Sequence, residues 1–187
     1  MEDILLSVEN LSTMVSKDIN FTVKKGEVIC IFGLNGSGKS VLLKTICNIL
    51  EKQQGSILYS IGKSKIGVVL QFPEHLIFKE SALDEALLIM DNNKEQAENL
   101  LKEINAEESI SPFNLSDGQK RLMFVFGYLE NKELILLDEP FVSLDDKSKE
   151  KVALKILEAK NNGKAIIYTA NREVDKKIAD TIITLSN

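Results

Sequence analysis

The sequence predicts an α/β fold around a mostly parallel sheet, on three observations. Short apolar runs recur along the chain, several of them uninterrupted Val, Ile and Leu, as strands buried on both faces require. Helical patterns alternate with these runs, which is the signature of strand–helix–strand crossovers. One stretch, about 79–129, breaks the alternation with helical patterns and no strand, and reads as a helical insertion rather than a second domain. The 187 residues, 44% apolar and 27% charged, are the size and composition of one globular domain.

In chain order, strands are expected at Ile4 to Val8, Ile19 to Val23 and Val28 to Phe32, followed by a helix from Lys39 to Leu50. Strands Ile57 to Tyr59 and Ile66 to Leu70 come next. The insertion supplies helices Ser81 to Met90, Lys94 to Ile104 and Gln119 to Leu129. The alternation then resumes with strand Leu134 to Leu137, helix Asp146 to Asn161, strand Ala165 to Tyr168, helix Glu173 to Ala179 and strand Thr181 to Leu185. Pro73, Pro112 and Pro140 all fall between these elements, where a fixed φ and a missing N–H do no harm.

Composition excludes several function classes. A formal net charge of −5 disfavours nonspecific nucleic-acid binding, which depends on phosphate neutralisation. With one histidine, His75, and two cysteines, Cys30 and Cys47, a zinc site of the Cys/His type is not expected. The cysteines sit in apolar surroundings and read as reduced core residues. The N-terminal residues lack a signal-peptide pattern, and no apolar run approaches the roughly 18 residues of a membrane span. The pairs Lys24-Lys25 and Lys176-Lys177 are too small to bind a lipid surface and read as solvated charge.

The strongest chemical signal is Gly33-Leu34-Asn35-Gly36-Ser37-Gly38-Lys39-Ser40, between an expected strand and an expected helix. It matches G-x-x-x-x-G-K-[ST], the Walker A phosphate loop. Its glycines let backbone N–H groups converge on phosphate oxygens, and the helix N-terminus adds a favourable dipole. Lys39 is assigned to the β- and γ-phosphates and Ser40 to Mg²⁺. The apolar strand Leu134 to Leu137 ends in Asp138-Glu139-Pro140, the Walker B pattern. Asp138 is then a second metal-shell residue, and Glu139 stands where a general base would activate water. Leu115-Ser116-Asp117-Gly118-Gln119 reads locally as a capping box, with Ser116 as N-cap and Gln119 three residues on.

Taken with the two Walker motifs, Leu115 to Gln119 resembles the LSGGQ signature of ATP-binding-cassette (ABC) ATPases, with Asp117 in place of the first glycine. Gln71 resembles the Q-loop glutamine, and Ser143-Leu144-Asp145 resembles the D-loop. The likeness runs from about Ile4 to Leu185. It implies a P-loop NTPase fold of ABC ATPase type: a mostly parallel central sheet, an antiparallel N-terminal part and a short inserted helical subdomain. The core would be about 1–78 and 130–187, and the subdomain about 79–129. It implies MgATP as ligand, bound by Gly33, Asn35, Gly36, Ser37, Gly38, Lys39, Ser40 and Val41. Ser116, Gly118, Gln119 and Asp145 would contact nucleotide across a head-to-tail dimer with a second ABC ATPase subunit. Gln71 would join Ser40 and Asp138 at the metal, and Lys39, Gln71 and Glu139 would be the catalytic set.

The segment Leu70 to Phe78, with Ser111-Pro112-Phe113 before the signature, is similar to energy-coupling-factor (ECF) ATPases, which power uptake of vitamins and metal ions. Another importer ATPase is the next choice. The likeness implies a transmembrane coupling subunit docked through the Gln71 to Phe78 region, no nucleic-acid partner, and a peripheral position at the cytoplasmic face of the membrane. The sequence also departs from the family. Ala170 stands where a switch histidine is usual, and His75 belongs to the Q-loop segment. Loss of such a contact costs on the order of 10²- to 10³-fold in rate, with Asn171 or a water left as substitutes. No aromatic residue precedes Phe21 to stack on adenine, leaving Met14 or Val15, and Val41 replaces a common threonine. These losses predict a slow site and favour a heterodimer. A weakly hydrolysing regulatory subunit and a soluble non-transport ABC ATPase stay open as alternatives.

Overall fold

Among the described residues two sheets sort eight strands by the direction of their neighbours. A computed structural model describes residues 3–185. Strands β1 (Ile4–Ser12), β2 (Ile19–Lys24) and β4 (Gln54–Tyr59) form an antiparallel sheet in the order β2-β1-β4. Strands β3 (Val28–Phe32), β5 (Ile66–Val69), β6 (Leu134–Leu137), β7 (Ala165–Ala170) and β8 (Thr181–Thr184) form a parallel sheet in the order β5-β6-β7-β3-β8. The expected architecture is therefore the observed one.

The apolar runs explain the layering. Every residue of β6 and β7 is buried, because both faces of the parallel sheet are covered. Side chains alternate across the pleat. On β3, Ile29 and Ile31 turn toward helix α1 (Lys39–Ile46) and the antiparallel sheet, while Val28 and Cys30 turn toward the remaining helices. Those helices are α2 (Ala82–Ile89), α3 (Lys94–Glu103), α4 (Asp117–Asn131) and α5 (Asp146–Asn161). Met123, Phe124 and Val125 of α4 and Val152 and Ile156 of α5 pack in one core with Ile135, Leu137 and Ile166 of the sheet. Helices α2 and α3 share this core through Ala86, Ile89, Leu100 and Leu101. Burial pushes the Cys30 thiol up to about 11, as a core residue rather than a nucleophile requires. Among the described residues no helix is long and apolar enough to cross a membrane.

Some boundaries differ from the sequence reading. β1 runs four residues past Val8, carried through an irregularity near Asn10, whose φ is 48°. α1 stops at Ile46 because Asn48 turns left-handed (φ 56°), ending the repeat. Glu173–Ile178 is a 3₁₀ run rather than an α-helix. There the Tyr168 hydroxyl donates to the Asp175 carbonyl, and Lys176 lies 4.2 Å from the Phe32 ring centre. Both contacts hold the segment against the sheet.

The layering predicts unequal sensitivity to truncation. Ile167→Ala, in the fully covered β7, should lower stability by about 2–5 kcal/mol, while Leu154→Ala, on the exposed face of α5, should change it by less than about 0.5 kcal/mol. Urea unfolding of the two variants checks both outcomes.

Candidate functional site

The phosphate-loop motif occupies the turn between β3 and α1. Gly38 holds φ 90°, a conformation that disfavours any residue with a Cβ, and a Cβ there would meet the Val15 methyl at 2.3 Å. Gly33 is enclosed differently: a Cβ would lie 2.4 Å from Ser37 Oγ and 2.8 Å from the Leu185 carbonyl. Lys39 is 4% exposed. Its ammonium donates to the Gly33 and Leu34 carbonyls, each at 2.9 Å. Helices α2, α3, α4 and α5 are all capped by side chains, from Ser81, Asn93, Ser116 and Asp145, whereas α1 begins at Gly38 with no side-chain cap. Its first-turn amides and positive dipole end are arranged to receive an anion.

The acids arrive from β6, two strands away across β7. Asp138 is 1% exposed. Its Oδ1 accepts from Ser40 Oγ at 2.9 Å and from Thr169 Oγ1 at 2.7 Å, while its Oδ2 is buried with no protein partner. A hard cation prefers such oxygen donors, so the orphan Oδ2 beside the Ser40 hydroxyl fits magnesium. Glu139 follows in a left-handed conformation (φ 50°), which costs about 1–3 kcal/mol for a residue with a side chain. Its N–H donates to Thr169 Oγ1 at 2.8 Å, and its carbonyl accepts from Arg121 Nη1 at 2.8 Å. Gln71 Nε2 donates to Glu139 Oε2 at 3.4 Å. A cavity of about 310 Å³ is lined by Val15, Asn35, Gly36, Gly38, Lys39, Ser40, Val41, Gln71 and Glu139. Most of the expected nucleotide and catalytic residues thus meet in one place, with Asp138 just behind the wall and Gly33 and Ser37 shaping the loop beneath.

The signature and D-loop residues lie elsewhere. Ser116, Gly118, Gln119 and Asp145 line a separate groove of about 650 Å³, which shares no residue with the first cavity. The capping box forms: Gln119 N donates to Ser116 Oγ at 3.2 Å, and Ser116 N donates to Gln119 Oε1 at 3.1 Å. The Ser116 hydroxyl also meets Gln119 Oε1 at 3.1 Å. The Gln119 amide is further committed to the Ile104 and Asn105 carbonyls. Asp145 caps α5, accepting from Ser148 N at 2.7 Å, and bonds from Ser148 hold its carboxyl below the ordinary range.

The departures from the family also have places. Ala170 is buried at the end of β7, and its carbonyl accepts from Gly33 N at 3.2 Å. Asn171 does not line the cavity; its amide donates to Asn35 Oδ1 at 2.8 Å. Val15, not Met14, reaches the cavity, presented by a turn in which Thr13 Oγ1 accepts from Val15 N and Ser16 N. His75 sits in the 3₁₀ turn Pro73–Leu76 with its ring 6.0 Å from that of Phe72. Nearby, a groove is lined by Leu76, Phe78, Leu88 and Glu85. Glu85 Oε2 accepts from Phe78 N and Lys79 N, and its buried Oε1 has no partner.

Three residues of this assembly carried no motif. Thr169 lies in a mostly apolar strand that the sequence reading ended two residues too early, at Tyr168. Arg121 and Glu85 are buried charges on helices whose remaining core positions are apolar. A charged residue at a core-facing helical position is the signal that would have found them.

Comparison with known proteins gives the family and the fold. A family profile described as ABC transporter matches residues 16–142, more than half of the chain. The energy-coupling factor transporter ATP-binding protein EcfA1 of Fusobacterium nucleatum is 32% identical, covering 98% of this chain and 79% of that protein. EcfA2 of Caldanaerobacter subterraneus is 30% identical, covering 97% and 76%. Among solved structures, a putative ABC transporter ATP-binding protein from Pyrococcus furiosus superposes with a TM-score of 0.79 at 29% identity, covering 96% of each chain. CbiO1 of Clostridium perfringens, described as part of the ABC transporter complex cbiONQ, gives 0.76 at 26% identity, covering 99% and 86%. On the profile match and these relatives, the chain belongs to the ATP-binding proteins of the ABC transporter family and is similar to its energy-coupling-factor members.

Proposed function

We propose that this chain binds and slowly hydrolyses MgATP as the cassette subunit of an ECF-type importer, pairing with a different cassette and a membrane subunit. The observation that carries this reading is the separation of the two half-sites. The phosphate loop with its acids and the signature groove share no residue, so a complete site needs a second cassette facing the first.

Within the cavity, the α1 amides and Lys39 would bind the phosphates, and Lys39 would exchange its two carbonyl partners for phosphate oxygens. Ser40 Oγ and Asp138 Oδ2 would hold magnesium, which supplies charge neutralisation at the phosphates. Glu139 accepts the proton of the attacking water, and Gln71 orients that carboxylate through the Nε2–Oε2 contact. Thr169 keeps both acids in register. What this site lacks is a donor from position 170, and Asn171 does not supply one because its amide is held by Asn35. A slow cis site follows. The alternative of a weakly hydrolysing regulatory subunit is favoured by the same alanine and opposed by the intact Asp138–Glu139 geometry.

Two features favour an unlike partner. Asp117 opens α4 with an exposed carboxylate, 3.6 Å from Lys120, and in a like dimer it would face phosphates in both sites. A like dimer would also lack the position-170 donor twice. For the membrane subunit, Phe72, Phe78 (76% exposed) and Leu88 expose apolar area beside the groove that holds the unpaired Glu85 oxygen. Exposed aromatics around a groove are a binding surface rather than a solvated one. Docked there, the chain would sit peripherally at the cytoplasmic face of the membrane, with vitamins or metal ions as the transported class.

Two measurements test these assignments. Steady-state ATP hydrolysis by the purified chain should be abolished by Glu139→Gln, with nucleotide affinity kept, and raised tenfold or more by Ala170→His. Fast wild-type turnover unchanged by Ala170→His overturns the slow-site reading. Separately, the tagged chain should co-purify from membranes with an integral membrane protein, and Leu88→Asp should abolish that recovery while leaving nucleotide affinity within about twofold. Recovery from the soluble fraction alone would favour a non-transport role.

A further inference from the structure

Arg121 is the one arginine in the buried set, 4% exposed on α4, and it forms no ion pair with a carboxylate among the described residues. Its guanidinium instead joins two loops through their main chains. Nη2 donates to the Gln71 carbonyl at 2.7 Å, and Nη1 donates to the Glu139 carbonyl at 2.8 Å and reaches the Asp138 carbonyl at 3.5 Å. Nε is buried without a partner, so the group is placed for those carbonyls and not for full satisfaction. Glu139 is the residue whose left-handed backbone needs holding, and Arg121 and Thr169 grip it from its two ends. A planar fork holds donors on two arms in a fixed geometry and so reaches the carbonyls of two separate loops, where an ammonium offers its donors from a single point. Arg121 also lies five residues after Ser116, about 7.5 Å along the same helix, so the first turn of α4 and the guanidinium move as one body.

We propose that Arg121 is a positioning residue that ties the first turn of the signature helix to the Gln71 and Glu139 main chains, so that nucleotide in the cavity and the state of the signature groove are energetically coupled. The inference rests on the reading of Glu139 as the base. Arg121 touches no residue of nucleotide-binding function in the phosphate loop, so its loss acts on the rate and on the coupling, not on affinity. Coupling is reciprocal: what the partner's nucleotide does to α4 is transmitted to this chain's Glu139, and what this chain's nucleotide does to Glu139 is readable at α4.

The test uses the full chain with Arg121→Lys and Arg121→Met, Mg²⁺-ATP and Mg²⁺-ADP as probes, and hydrogen–deuterium exchange with and without nucleotide. In the wild type, nucleotide should slow exchange both at 33–41 and at 115–123. In both variants the protection at 33–41 should persist and that at 115–123 should vanish, with Kd within threefold. Turnover should fall tenfold or more in kcat, with KM within threefold, a split that a merely structural role would not produce. Retained protection at 115–123 in the lysine variant, no response there in the wild type, or a loss confined to KM overturns the proposal. If the wild type shows the coupling and the variants lose it while no chain turns over ATP, the Arg121 tie stands and the base assignment falls.

Discussion

One carboxylate oxygen accepts two hydroxyls, and the site is organised around it. Asp138 Oδ1 receives Ser40 from the start of α1 and Thr169 from the end of β7. These groups come from the ends of three different strands or their following turns, brought together because β7 lies between β3 and β6 in the parallel sheet. The shared oxygen therefore fixes the phosphate loop against the acidic strand at a distance set by two bond lengths. It also leaves Oδ2 pointing at a place where nothing in the protein satisfies it. Burying such an atom is costly unless a ligand meets it, so the same geometry that joins the strands leaves one buried oxygen for a ligand to satisfy.

The strained backbone of Glu139 depends on this frame. A residue in the left-handed region persists only where its surroundings over-determine it. Thr169 holds the N–H and Arg121 holds the carbonyl, and both holders are themselves buried. The covered sheet beneath supplies the rigidity, since β6 and β7 have no exposed residue through which to relax. Packing thus sets where the carboxylate of Glu139 can point, and Gln71 refines it through a long contact.

Much of this was legible in the residues alone. The layers follow from uninterrupted apolar runs, and the phosphate loop, Asp138 and Glu139 follow from local spacing, because a strand–turn–helix places its own motif. The parts that were not legible are those that need chain segments far apart in sequence. Arg121 reaches Gln71 across 50 positions and Thr169 reaches Asp138 across 31, and no local pattern encodes either contact. The end of α1, set by Asn48, and the tight run at Glu173–Ile178, held by Tyr168 and Phe32, were misread for a related reason. Apolar periodicity says that a segment is helical but not where a single left-handed residue or a tertiary contact stops it. The capping box at Ser116 was legible, but its commitment of the hydroxyl was not, because the orientation of Gln119 is set by the carbonyls at the end of α3.

The missing side-chain cap of α1 has a thermodynamic consequence. Among the described residues four helices finish their own N-termini with side chains, and α1 leaves its first turn open to a bound anion. A ligand that binds only the folded form adds to stability by RT ln(1 + [L]/Kd). The segment that joins the phosphate loop to the antiparallel sheet is therefore firmest when nucleotide is plentiful and loosens as it is depleted. Nucleotide supply thus enters the protein as a term in its folding equilibrium, independent of any turnover.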